Sequence, residues 1–262
     1  MSSAGNKFIS NKEAVPLIES TVFDRNQQSR FAIGMFSAEE VMNNRKSPTI
    51  QAYLKLRANT YIDQTRMLPE EARQSDGTEI DKDDERSTHI IIIENKIGKS
   101  AVFACMRLIE KTDEYSNNLP VEDYFDETFI NDPAPISSIE ASRFIVRHDE
   151  QAVRDEAKLR LMTMGLTYSM NQGLGTVYAV VEPEFERGLK AMRLPLKRLA
   201  NPKQVPEYND ENVAVEIDLI GYGSRLRRHG IKPLALPVGN FDYWGESENS
   251  EDDFEEVRLY GS

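Results

Sequence analysis

Isoleucines at positions 90–93, set between His89 and Glu94, constrain this 262-residue chain more than any other stretch. β-branched side chains crowd a helix and suit a pleated strand. A run without polar alternation suits a strand buried on both faces, so the chain must build a sheet covered on both sides. A second apolar run, residues 101–109, follows a turn at Lys96-Ile97-Gly98-Lys99-Ser100, which predicts an antiparallel hairpin. Arg107 lies inside that second strand, where a buried cation requires a carboxylate or an anionic ligand.

The flanking chain supplies the cover. Ser37-Ala38-Glu39-Glu40 has the form of a capping box that opens a short helix to about residue 44. Pro48 suits the first turn of a second helix to about residue 64, on which Arg57 and Tyr61 share a face. Residues 67–86 read as an acidic loop broken by Pro69 and Gly77, long enough to be disordered or to form a binding lid. A Pro-containing connection over 111–136 leads to a third strand at about 138–147. Asp149 is placed to cap a helix over 150–171, with Gly173 just past its end. A fourth strand over 176–181, a helix from Pro183 to about 192, and an alternating edge-type strand over 213–220 complete the order. That order predicts an α/β fold with a central mixed sheet flanked by helices, parallel where strand, long helix and strand succeed one another. Residues 1–36 read as a partly flexible N-terminal arm and 37–222 as the folded domain. Residues 223–245 read as an irregular extension with the only tryptophan, Trp244, and 246–262 as a disordered acidic tail.

Charge excludes some functions. The net charge of −12 speaks against a general nucleic-acid footprint. Half of that excess lies in residues 246–262, which hold seven acids and one arginine. No run of about 18 apolar residues exists to span a membrane, and the first residues lead into no apolar segment of a secretory signal. Together these make a cytoplasmic protein the expectation. Cys105 is the only cysteine, and His89, His148 and His229 stand apart. These exclude an intramolecular disulfide and a cysteine-based zinc site, and speak against a histidine metal site or a nucleophile–histidine triad. No Gly-rich phosphate loop is present.

What remains is a set of acids and arginines from four segments: Arg57, Asp81 and Asp84, Arg107, and Glu140 with Arg143. Such a set suits binding a polar zwitterion and moving protons. Glu140 and Arg143 are three residues apart at the start of the third strand. Side chains alternate there, so only a bulge or bend would turn both into one cleft.

In this order the residues resemble the acyl-homoserine-lactone (autoinducer) synthases, which have a GNAT-like acyltransferase fold. Arg57 and Tyr61 correspond to the family's arginine and aromatic pair. Glu79-Ile80-Asp81-x-x-Asp84, Cys105-Met106-Arg107-Leu108 and Asp123-Tyr124-Phe125 are similar to its acidic segment, its strand ending in Arg-Leu and its aromatic connection. The most specific piece is Glu140-Ala141-Ser142-Arg143-Phe144, similar to the family's Glu-x-Ser-Arg-Phe. The resemblance covers about residues 57–220. It implies a three-layer GNAT-like fold and transfer of a fatty acyl group from an acyl-carrier-protein thioester to the amine of S-adenosylmethionine, with lactonisation, the signal synthesis of quorum sensing. It implies no tightly bound cofactor, with S-adenosylmethionine as a substrate. It implies Glu140 as general base, acting through a water, and Arg107 as the residue tying the network together. Arg57, Tyr61, Asp81, Asp84, Arg143 and Phe144 would bind substrate. Two departures matter. The loop Arg147-His148-Asp149-Glu150-Gln151-Ala152 lacks the glycines with which coenzyme A-using GNAT enzymes hold pyrophosphate, which favours a carrier protein. Arg187, Lys190, Arg193, Lys197 and Arg198 form a basic cluster suited to docking one. Met67 stands where the family has a tryptophan, which leaves open a different amino acid or amine as acceptor. A non-catalytic GNAT-fold binding protein is the alternative from another class.

Overall fold

The isoleucine run occupies β2 (Ser87–Lys96), the second strand of an eight-stranded sheet, in a computed structural model that describes residues 31–96, 99–112, 118–192 and 194–228. Its neighbours are β1 (Phe31–Phe36) and β3 (Lys99–Lys111), both antiparallel to it. Ile90 and Ile92 pack on one side of the sheet and Ile91 on the other, all fully buried. From β3 the sheet continues through β4 (Ser138–Val146), β5 (Thr176–Val181), β8 (Asp210–Asp218) and β6 (Leu196–Arg198), with β7 (Lys203–Val205) also on β8. Only β4 and β5 run parallel. The long helix α5 (Gln151–Asn171) is the right length to make that crossover.

Helices cover both faces. Val153, Ala157 and Leu161 of α5 pack on Ile90, Ile92, Met106 and Leu108. On the other face lie α1 (Ala38–Asn43) and α2 (Pro48–Ala58), whose Val41, Tyr53 and Leu54 meet Ile91, Cys105 and Ile145. The short helices α3 (Pro120–Tyr124) and α4 (Asp126–Phe129) carry a second cluster built on Phe125, Phe129 and Ile109. The expected capping box is present: Glu40 N–H donates to Ser37 Oγ, and Ser37 N–H to the Glu40 carboxylate. The helix predicted to reach residue 64 does so by changing type, with a π-helical turn over Asn59–Gln64.

Four expectations need correction. Residues 31–36, read as part of an arm, form strand β1. β8 is not an edge strand: β5 lies on one side of it and β6 and β7 on the other, and its Val213, Ala214 and Val215 are all buried. The cap of α5 is Glu150 rather than Asp149. Residues 223–228, read as irregular, belong to α7 (Leu219–Arg228), which starts where Gly221 N–H donates to Asp218. The helix at Pro183 is α6 (Pro183–Ala191). The rest of the expected arm, the remainder of the 223–245 extension, the acidic tail and Arg193 lie outside the described residues. Among the described residues no helix is long and apolar enough to cross a membrane.

Candidate active site

The expected bulge is in β4. Arg107 pairs with Ser142 and Cys105 with Ile145, so β4 carries one residue more than β3 over this step, and Arg143 takes φ +51°. Before the bulge, Glu140 and Ser142 face the α2 side; regular alternation would send Arg143 to the α5 side. The extra residue turns it back, and its guanidinium meets residues of the 79–84 segment beside α2. Beyond the bulge β4 leaves β5, since the two strands pair over three residues only, 139–141 with 177–179. A cavity of about 360 Å³ opens at the split. Toward α5 and α6 it is lined by apolar side chains including Met106, Leu108, Leu166, Phe185 and Leu189; its polar members include Thr60, Tyr61, Glu140, Ser142, Arg143 and Tyr208, with Arg147, Glu182, Thr65 and Asn212 also on the wall.

Behind the polar wall three arginines and three carboxylates neutralise one another. Arg57 donates from Nε to Glu79 (2.5 Å), and from Nη1 and Nη2 to Asp84 (2.7 and 2.9 Å). Arg107 donates to Asp81 (2.5 Å), to Asp84 (3.0 Å) and to Ser142 Oγ (3.0 Å). Arg143 donates from Nη2 to Glu79 (2.9 Å) and Asp81 (2.8 Å), and its guanidinium lies 5.1 Å over the Tyr61 ring. The Asp81-x-x-Asp84 spacing has a local cause: the two residues form a capping box on the turn Lys82–Arg86, and the same Asp84 carboxylate then takes both Arg57 and Arg107. Burial opposes ionisation of Glu79, but Arg57 and Arg143 hold it down at about 2, and Asp84 is likewise held well below the usual carboxylate range by Arg57 and Arg107. His89 completes the layer: burial lowers it to about 4, and its neutral ring takes the Tyr53 hydroxyl at Nδ1 (2.8 Å).

Glu140 stands outside this balance. It is 1% exposed; Oε2 accepts from Val121 N–H at 2.8 Å, and Oε1 has no partner among the described residues. Burial lifts its carboxyl to about 8, against the pull of the Val121 N–H and of Arg107. A carboxyl poised there is largely protonated at pH 7 and becomes a base toward an ammonium as the pH approaches 8.

The sequence-derived residues divide into two groups. Tyr61, Glu140, Arg143 and Phe144 line the cavity; Arg57, Asp81, Asp84 and Arg107 do not. Arg57, Asp84 and Arg107, with 1% exposure or less, are engaged with one another. In the basic cluster, Lys190 and Arg198 both pair with Glu186 and Lys197 pairs with Glu216, which leaves Arg187 as the described member without an ion pair. Sequence reasoning missed Thr60, Tyr208 and Val121. Thr60 reaches the cavity because of the π-turn, and its Oγ1 is the other buried side-chain atom without a partner among the described residues. Met67, noted as a departure, is on the cavity wall. Cys105 is buried and its thiol pushed up to about 12, in keeping with a core role.

Comparison with known proteins identifies the family and the fold. Residues 41–219 match the family model described as autoinducer synthase. No curated protein sequence matches the chain. Among solved structures, BjaI, a CoA-dependent acyl-homoserine lactone synthase with S-adenosylmethionine and isopentyl-CoA, is similar with a TM-score of 0.57 at 20% identity, over 75% of this chain and 90% of that one. LasI, an acyl-homoserine lactone synthase, gives 0.57 at 21%, over 72% and 90%. FeeM, an N-acyl amino acid synthase from uncultured soil microbes, gives 0.53 at 16%, over 76% and 97%. At these identities the structural likeness speaks for the fold.

Proposed function

The chain belongs to the autoinducer synthase family and is an acyltransferase with a GNAT-like fold, and from that premise we propose that it moves a fatty acyl group from an acyl-carrier-protein thioester to the amine of S-adenosylmethionine, with lactonisation. The observation that carries this reading is the bare Oε1 of Glu140, a buried carboxyl on the wall of a cavity whose remaining lining is largely apolar. The apolar part suits an acyl chain. The polar part suits an amino-acid head, whose carboxylate meets Arg143 beside Tyr61. Arg143 Nη1 takes part in none of the bonds to Glu79 and Asp81.

In this mechanism Glu140 takes a proton from the acceptor ammonium, directly or through a water, and the freed amine attacks the thioester carbonyl. The carbon–sulfur bond breaks as the amide forms. Of the two protons the ammonium loses, one leaves through Glu140 to solvent and the other ends on the released thiol. Pairing with β5 ends at Ala141, and in this reading main-chain N–H groups of β4 beyond it stabilise the tetrahedral oxyanion. Arg57, Arg107, Asp81 and Asp84 act from behind, fixing Arg143 and the β4 backbone.

The carrier protein is favoured over coenzyme A by the loop between β4 and α5. Arg154 Nη1 donates to the carbonyls of His148 and Asp149, and Glu150 N–H is taken by His148 Nδ1, so two carbonyls and one N–H of the loop are already committed. A second reading, acylation of a different amino acid without lactonisation, draws on Met67 at the cavity wall. The test is incubation with acyl-carrier protein or acyl-coenzyme A and either S-adenosylmethionine or free amino acids, read by thiol release and mass spectrometry. Acyl-homoserine lactone from the carrier thioester is expected. An open-chain acyl amino acid selects the second reading, and no thiol release with any pair refutes both.

A further inference from the structure

Among the described residues the Glu140 side chain accepts one hydrogen bond, from Val121, which lies outside the sheet and whose place depends on a second buried carboxylate. Glu122, 3% exposed, accepts from Lys111 Nζ at 2.7 Å on each oxygen, from Leu119 N–H at 2.7 Å and from Ala134 N–H at 3.0 Å. Lys111 is the last residue of β3 and is itself buried. One carboxylate thus pins residues 119 and 134 of the connection to the end of a central strand, with Val121 between them. Arg86 adds a bond to the Asn118 carbonyl at 2.7 Å, next to Leu119 in the same connection. Neither Lys111 nor Glu122 lines the cavity, so neither meets the substrate.

We propose that Glu122, locked to Lys111, is a positioning residue for Glu140: it holds the Val121 N–H against the carboxylate and thereby sets how tightly that carboxylate keeps a proton. The inference rests on the reading that Glu140 receives the acceptor's proton. A hydrogen bond to the ionised form favours that form. Without it, burial acts on Glu140 with less to oppose it. The other groups acting on Glu140 are Arg107 of β3, Asp83 and Arg86 of the turn Lys82–Arg86, Tyr124 of the connection and Tyr208 of the turn Pro206–Tyr208. Of these, Arg107 belongs to the strand and Asp83 and Arg86 are paired with each other, so they stay in place when the clamp is cut.

The test uses the full chain with Glu122→Gln and Lys111→Met, and two readouts. Infrared titration of the Glu140 carboxyl, isolated by subtracting the Glu140→Gln spectrum, needs no turnover. Its midpoint is expected to rise by about one pH unit in both variants. In steady-state kinetics the acid limb of kcat/KM should move up by the same amount, giving about tenfold slower turnover at pH 7, recovery of the wild-type rate near pH 9.5, and an unchanged KM for the acyl donor. A wild-type midpoint in a folded variant, or a loss of rate equal at every pH, overturns the proposal. Should both variants fail to fold, Lys111→Arg keeps the charge while displacing the clamp, and the same titration decides. Absence of acyl transfer by the wild-type chain would refute the functional reading, whereas the infrared midpoint judges the positioning role by itself.

Discussion

Replacing Glu140 by Gln separates stability from activity in a way that follows from the burial of this one carboxyl. Burial lifts the group from 4.5 to about 8, with the Val121 N–H and Arg107 acting in the other direction. The folded state therefore holds this proton more tightly than the unfolded chain does. Ionising Glu140 costs nothing below about pH 4.5, costs increasingly more through the window from 4.5 to 8, and has a constant cost above it. At about 1.4 kcal/mol for each pH unit, the ceiling is about 5 kcal/mol. Glutamine has the same shape, carries no charge, and its carbonyl oxygen can still accept from Val121 N–H. Urea denaturation should find the Glu140→Gln protein equal to wild type near pH 4.5 and more stable by several kcal/mol at pH 9. At pH 8 and above, where wild-type Glu140 is ionised, its acyl transfer should fall at least ~10²-fold, and the gap should close as the pH is lowered. A stability difference that stays constant from pH 5 to 9 would refute the argument that this carboxyl ionises unpaired in the interior. Undiminished turnover would remove Glu140 from the role of base.

Three further outcomes follow from neighbouring residues. Thr60→Val removes a buried hydroxyl that has no partner among the described residues, so calorimetry should find the melting temperature unchanged or raised; kinetics should find the acceptor KM up about tenfold with the donor KM unchanged, and Thr60→Ser should restore it. Asp84→Asn leaves Arg57 and Arg107 buried without their shared counter-charge, at a cost of about 3–5 kcal/mol, or about 10 °C in melting temperature by scanning calorimetry. Gly165→Ala places a methyl carbon 2.3 Å from the Met106 Cε, and that flexible end must swing away; because both residues line the cavity, competition between acyl donors read by mass spectrometry should shift toward shorter chains.

How much of this was legible in the sequence depends on whether a residue's role is set by its own chemistry or by what its neighbours leave unmet. The isoleucine run and the buried Arg107 announce a covered sheet and a carboxylate partner whatever surrounds them, and both are found. The spacing of Glu140 and Arg143 is legible for a similar reason: two groups meant for one cleft but placed at odd separation on a strand require an extra residue, and the bulge supplies it. Strands β6 and β7, with three residues each, are too short to show a period, and the burial of β8 comes from the strands beside it rather than from its own alternation. The arginines and acids were legible as a set, but not who pairs with whom. Arg57 and Asp84, expected to hold substrate, are engaged with one another and with Glu79 and Arg107. Among the described residues, groups the network leaves over for a ligand include Arg143 at its edge, Glu140 with one bare oxygen, and Thr60 with a bare hydroxyl. An unmade hydrogen bond leaves no mark in a sequence, which is why Thr60, one residue before the expected Tyr61, emerges only when its partners are sought in three dimensions.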